Sequence, residues 1–210
     1  MKTGGSGERG AMETLLGIAL GIGLSAACGF RIFVPLLMMN LASISGHFQL
    51  SPEFAWIGTP YATLAFTVAT IAEIIGYYVP WFDNILDMVA TPAAVIAGTI
   101  VSASVITDIS PFLKWTLALI AGGGIAGLVQ GTTVALRSKS SLFTGGVGNP
   151  VVSTLELAGS IITTLLALLV PVLTIVLIGL LCFFVFRKVG RLIFGRTKSP
   201  QPEMKNDLDP

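Results

Sequence analysis

Repeated apolar runs of about twenty residues constrain this chain more than any other feature, because that is the length an α-helix needs to cross a ~30 Å hydrocarbon layer. They fall at 14–39, 60–80, 91–107, 111–136, 150–170 and 171–187. Backbone polar groups inside a bilayer must be satisfied within the segment, so runs of this kind fold as helices. The expected fold is therefore all-α, a polytopic membrane helical bundle with the lipid bilayer as its partner. Hydrophobic residues make up 53% of the chain and charged residues 11%. A formal charge of +1 argues against nucleic acid as a partner.

The sequence divides into a polar lead over 1–11, a transmembrane domain over 12–187 and a basic, then disordered, cytoplasmic tail over 188–210. The lead has no short apolar stretch with a cleavage site, so a removed signal peptide is not expected, and Met12 is an alternative start. Six of the twelve Lys and Arg lie from Arg187 onward, Lys2 and Arg9 lie in the lead, and Arg137 and Lys139 follow the fourth run. Six spans with both termini in the cytoplasm of a cell inner membrane would put all ten on one face, as the positive-inside rule requires. Residues 150–187 are ambiguous, since one long helix kinked at Pro171 would serve as well as two spans.

A weak internal repeat favours six. Gly58-Thr59-Pro60 opens the second run and Gly148-Asn149-Pro150 the fifth, and Pro80 and Pro171 follow at similar distances. Each motif opens the middle span of a three-span half, about 12–107 and 111–187. Two halves with an odd number of spans have opposite orientations, the inverted-repeat plan of many transporters.

Polar residues inside the runs are the candidate site. At 1.5 Å per residue, Glu73 on the second span and Glu156 on the fifth both lie roughly 10 Å from the cytoplasmic edge, with Gln130 at a similar level. Ionisable groups in hydrocarbon face a bundle interior, a water cavity or a partner. Two carboxylates at one depth repel if both are ionised, so a proton or a cation would be held between them. The alternative is that each one only locks helix packing. Arg31 stands in Gly29-Phe30-Arg31-Ile32-Phe33-Val34-Pro35, deep in the first run. It either snorkels toward the outer headgroups or, as preferred here, pairs with Glu73 or Glu156. Pro35 removes the hydrogen bond to the Arg31 carbonyl, so the helix is weakened at the arginine.

Asp83 and Asp87, spaced i, i+4, share a helix face after the second span, as an acidic vestibule or as a solvated interfacial helix. The loop containing Thr144, Gly145, Gly146, Asn149 and Pro150 is a candidate re-entrant segment or an ordinary loop. Glycines at 17, 21, 23, 122–124 and 127 are expected to let helices approach closely. Cys28 and Cys182 read as small packing residues, and His47 as a surface residue. No metal cluster, cofactor motif, nucleophile with a base or phosphate loop is present, so neither a cofactor nor an enzyme activity is expected.

Leu24-Ser25-Ala26-Ala27-Cys28-Gly29-Phe30-Arg31 with Pro35, Glu73 with Pro80, Asp83, Asp87 and Pro92, then Arg137, Thr144-Gly145-Gly146, Gly148-Asn149-Pro150, Ser153 and Glu156 form a combined pattern. It resembles the bacterial membrane-protein family called domain of unknown function 4126, over roughly residues 12–185. The resemblance implies the helical fold and the list of candidate residues rather than an activity. It also implies a reduced charge network, because Leu157 and Thr133 stand where that family often has an acidic residue and a lysine. The expected function is a small secondary transporter or ion pathway for an unidentified ion or small solute, with Arg31, Glu73, Gln130 and Glu156 as its binding residues. The alternative is a structural or accessory protein whose buried charges specify packing. So small a bundle is also a candidate homo-oligomer.

Overall fold

The computed structural model describes residues 4–79 and 82–194. Among them every regular element is helical: α1 (Gly4–Phe30), α2 (Phe33–Ile44), α3 (Pro60–Tyr78), α4 (Phe82–Val105), α5 (Pro111–Leu117), α6 (Gly124–Thr144), α7 (Asn149–Leu169) and α8 (Pro171–Phe194). A short 3-10 turn, Pro52–Gly58, precedes α3, and a π-helical segment, Ala118–Gly123, joins α5 to α6 as one rod. Five helical segments are long and apolar enough to cross a membrane: Gly10–Phe30, Pro60–Tyr78, Ile85–Val105, Pro111–Thr144 and Asn149–Leu169. The apolar stretches Phe33–Ile44 and Pro171–Arg187 are shorter. The tail from 195 onward, expected to be disordered, lies outside the described residues, as does Pro80.

Local chemistry sets the boundaries. Proline opens α3, α5 and α8 and stands in the first turn of α7, where its missing N–H is no loss and its fixed φ is already helical. Thr59 and Ser110 cap α3 and α5 by accepting from the amides of Ala62 and Leu113. Gly145, at φ 62°, ends α6 in the left-handed conformation. Asp108 adopts φ 61° just before the Ser110 cap. The chain breaks at Val170 (φ −141°, ψ 68°), so residues 149–194 form two helices rather than one kinked rod.

The first run departs most from expectation. Residues 14–39 do not form one span: the helix stops at Phe30 and a new one starts at Phe33. Pro35 has no N–H for the Arg31 carbonyl, and its ring would strike that carbonyl in a continuous helix. The chain then turns back. Ser25 Oγ donates to the Gly98 carbonyl at 2.7 Å and Gly17 faces the Val105 carbonyl, so α1 and α4 are antiparallel. Met39, near the far end of α2, accepts from Ser104 Oγ, close to the level of Gly17 on α1, which faces Val105. The α1–α2 pair is therefore a hairpin with Arg31 at its tip.

The hairpin also decides how the first and last described helices run. Gly23 approaches Thr174, and Ala26 and Phe30 share a small cavity with Ile178 and Leu181, so α1 and α8 are parallel. Helix α1 therefore starts at one end of the bundle and α8 finishes at the other. Nor do two equal three-helix halves describe the order. Four helices of ten residues or more precede Asp108, and three rods follow it.

Small residues hold the centre together. A Cβ added to Gly29 would lie 2.6 Å from the Ala126 carbonyl oxygen, and one on Gly98 would lie 2.6 Å from Ala126 Cβ. Gly17 and Gly21 face α4, and Gly23 faces Ala167 and Thr174 on α7 and α8. Cys28 is fully buried in this core. At the end where α1 starts, Asn40 is fully buried and donates to the carbonyls of Ile57 (2.5 Å) and Thr59 (3.1 Å), while accepting from Thr63 Oγ1 at 2.8 Å. Replacing Asn40 with leucine deprives the buried Ile57 carbonyl of this donor and breaks the link to Thr63, while the Thr59 carbonyl keeps the Thr63 amide and hydroxyl as donors. The expected loss is about 2 kcal/mol, read as a lower melting temperature in detergent, and an unchanged melting temperature would refute this role.

Candidate functional site

Helix periodicity assembles the site. On α3, Phe66, Thr70, Glu73 and Tyr77 are all buried, spaced four, three and four apart on one inward stripe. On α6 the inward stripe is Ala126, Val129, Gln130, Thr133 and Arg137, and on α7 it includes Ser153, Glu156 and Ser160. These stripes converge on the tip of the α1–α2 hairpin, where Arg31 is 1% exposed.

Glu73 meets the break in the backbone. Its Oε1 accepts from the Ile32 amide at 2.8 Å and its Oε2 from the Phe33 amide at 3.0 Å. Those amides are among the orphan donors at the start of α2, where the helix dipole also favours negative charge. A carboxylate from α3 thus does the work of an N-cap for α2, for which Ile32 has no suitable side chain. The result is a broken helix stabilised inside the bundle.

The second part of the site is a chain of ion pairs. Arg31 Nη2 lies 3.7 Å from Glu156 Oε2 and donates to Ser153, to the carbonyl at 3.1 Å and also to the hydroxyl. Arg137 donates through Nη2 to the same Glu156 oxygen and through Nη1 to Asp87 Oδ1 at 3.2 Å. Both guanidinium carbons lie over the Tyr77 ring, at 4.1 and 4.0 Å from its centroid, within cation–π range. All five charged residues are at most 8% exposed. Arg31 Nε and Nη1, Arg137 Nε and Glu156 Oε1 are buried and have no hydrogen-bond partner among the described residues.

Arg31, Glu73 and Glu156 therefore meet, and Arg31 points inward rather than snorkelling. It pairs with Glu156, not Glu73. Gln130 is buried but sits two turns, about 10 Å, along α6 from Arg137, and no described contact joins its side chain to the network. Asp87 is no solvated vestibule residue, because it turns inward onto Arg137, and the side chain of Asp83 lies outside the described residues. The loop read as either a re-entrant segment or an ordinary loop is a tight turn at the end of α6. Thr144 Oγ1 donates to the Ser140 carbonyl and accepts from the Gly148 amide, Gly145 and Val147 are exposed, and Asn149 bonds Ser141. Pro150 simply starts α7.

Two central residues are not among the expected binding residues, although Arg137 belongs to the pattern that carries the family resemblance. Arg137 was assigned to a cytoplasmic edge because the apolar run stops at Leu136, but α6 continues to Thr144 and carries it inward. Tyr77 stands one turn after Glu73, and the four-three-four spacing from Phe66 was the signal for it. No group of three His, Cys, Asp or Glu among the described residues could hold a metal ion.

No curated protein and no solved structure matches the chain. A family model does match, over residues 18–191, which takes in every member of the buried network. The chain belongs to the family described as Domain of unknown function (DUF4126).

Proposed function

We propose that this membrane protein is a small proton-coupled transporter in which Glu73 carries the exchangeable charge. The observation that supports it most is the charge balance around the hairpin tip. Two guanidiniums, Arg31 and Arg137, are offset by two carboxylates, Asp87 and Glu156, with which they form ion pairs. Glu73 has no such ion pair among the described residues, and only two backbone amides hold it. A third, unbalanced carboxyl in an apolar bundle calls for a proton or a monovalent cation.

The broken helix supports the same reading, since discontinuous helices at membrane depth are a recurrent way of building ion sites in transporters. Protonation of Glu73 would weaken its hold on the α2 amides, because the neutral acid is a poorer acceptor than the carboxylate. Proton occupancy is thereby coupled to the stability of the hairpin tip. In this arrangement α2 and α8 complete the set of crossings. The end bearing Lys139, Arg187 and Arg191 faces the cytoplasm by the positive-inside rule, and the start of α1 lies on the opposite side. Helices α3 and α7 run in opposite directions, which keeps an inverted relation between their Gly-x-Pro openings without equal halves.

Proton flux in proteoliposomes tests this. With candidate counter-solutes supplied on the far side of the bilayer, wild type is expected to dissipate an imposed proton gradient, and folded Glu73→Gln is expected to abolish the flux. Arg31→Gln, which leaves Glu156 and Asp87 against a single cation, is expected to disturb flux as well as folding. If the wild type carries no protons, the transport reading fails, and the network is a packing device.

A further inference from the structure

Helices α3 and α4 meet near their junction, where Gly76 packs against Leu86 and Phe82, and they diverge above it. Between them opens a cavity of about 470 Å³, floored in part by the start of α2. This volume suits a drug-sized molecule. Alanines on both walls, Ala69 and Ala72 facing Ala90 and Ala93, create the space. Its rim belongs to the outer surface of the bundle, where Ala72, Phe82 and Val89 are exposed among the large apolar side chains expected of a lipid-facing surface.

The wall is apolar with one exception. Among the described lining residues Glu73 and Tyr77 alone carry polar side-chain atoms, and none is a lysine, arginine or histidine. Tyr77 is already engaged by two guanidiniums. Glu73 is 7% exposed, faces this cavity and has no ion pair to any described side chain. A lipid tail would be matched by a wholly apolar groove and gains nothing from a carboxylate, whereas an anionic headgroup would be repelled by it. A cation whose charge is spread over an apolar body satisfies both features, since it fills the alanine-lined space and pairs with Glu73. Phe33 and Phe82 add aromatic surface for cation–π contact.

We infer that the groove between α3 and α4 is a binding site for lipophilic organic cations entering from the bilayer, with Glu73 as their counter-ion. This rests on the proton-coupled reading above and names its substrate class. Proton and organic cation then compete for one carboxyl, so that release of one accompanies binding of the other.

Equilibrium dialysis of the detergent-purified protein against tetraphenylphosphonium, with empty micelles as the blank, tests the site. Tetraphenylborate, of the same shape and opposite charge, is the control. Wild type is expected to retain the phosphonium saturably and the borate no better than micelles do. Glu73→Gln removes the charge and is expected to weaken phosphonium binding at least about tenfold, equivalent to about 1.4 kcal/mol. Because Glu73 also caps α2, a second variant is needed: Ala93→Phe fills the groove and leaves the carboxylate in place, with the same loss expected. Equal retention of the two ions by wild type, or undiminished phosphonium binding in both folded variants, overturns the inference. Proton flux without phosphonium binding would refute the substrate class and leave the transport reading standing. Binding without flux would do the reverse.

Discussion

Replacing Arg137 with glutamine is expected to lower the stability of the protein by about 3–5 kcal/mol, the cost typical of removing one partner from a buried ion pair. Its guanidinium is 2% exposed as part of the residue and serves two carboxylates from different helices, Asp87 on α4 and Glu156 on α7. Without it Glu156 keeps, among the described ion pairs, the more distant Arg31 at 3.7 Å. Part of the loss should return when the stranded charge is also removed, so Arg137→Gln with Glu156→Gln is expected to melt above Arg137→Gln alone. Arg137→Lys should fall between wild type and glutamine. An ammonium retains the charge but cannot present two N–H groups to separate acceptors in one plane, nor lie flat over Tyr77. Thermal unfolding in detergent of the single and double variants gives the coupling directly. Additive losses would mean that Arg137 and Glu156 act independently, and would remove the network from the account.

The membrane class and the identity of the buried charges were legible because bilayer physics leaves few options for either. A twenty-residue apolar run is a helix, and a charge inside it turns inward or to a partner. Pro35 also announced the weakness at Arg31. Sequence reasoning did not reach the consequence, that the chain reverses there. A proline four residues after a residue removes one hydrogen bond, which suffices for a kink. Reversal needs a partner for the new helix start, and that partner, Glu73, lies 41 residues away. The topology expected from charge follows from counting residues 14–39 as one crossing, whereas the chain breaks at Arg31 and forms two helices there. Arg137 was hidden for a related reason. Hydropathy ended the fourth run at Leu136, but the stripe Val129, Gln130, Thr133 and Arg137 continues at helical spacing past that point. Gln130 shows the converse. Its depth was estimated from an end point seven residues too early, so it was grouped with carboxylates that it does not touch.

The glycines were read from sequence as close-packing positions, and Gly122 carries the largest consequence of that reading. It sits in the π-helical segment before α6, where a Cβ would lie 2.6 Å from Ser102 Cβ, 2.8 Å from the Gly98 carbonyl oxygen and 3.0 Å from Ser25 Oγ. Three elements meet at this atom: α1, α4 and the α5–α6 rod. Backbone stands on one side and buried small side chains on the others, so there is no flexible end to move aside. Gly122→Leu is expected to destabilise by about 3 kcal/mol or more, at or beyond the upper end of ordinary overpacking, because the helices must separate. Separation has a specific second effect, since Ser25 Oγ donates to the Gly98 carbonyl at 2.7 Å across the same contact and that bond would be strained or lost. Gly124→Leu is the matched control. It lies two residues on, with nothing within 4 Å of its added Cβ, and is expected to leave the melting temperature near that of wild type. Loss in the first variant alone would establish that the α1–α4 contact, rather than helix propensity in the glycine cluster, holds the hairpin against the rest of the bundle. Equal losses in both variants would assign the effect to the local helix instead, and the charge network would then rest on a scaffold held together elsewhere.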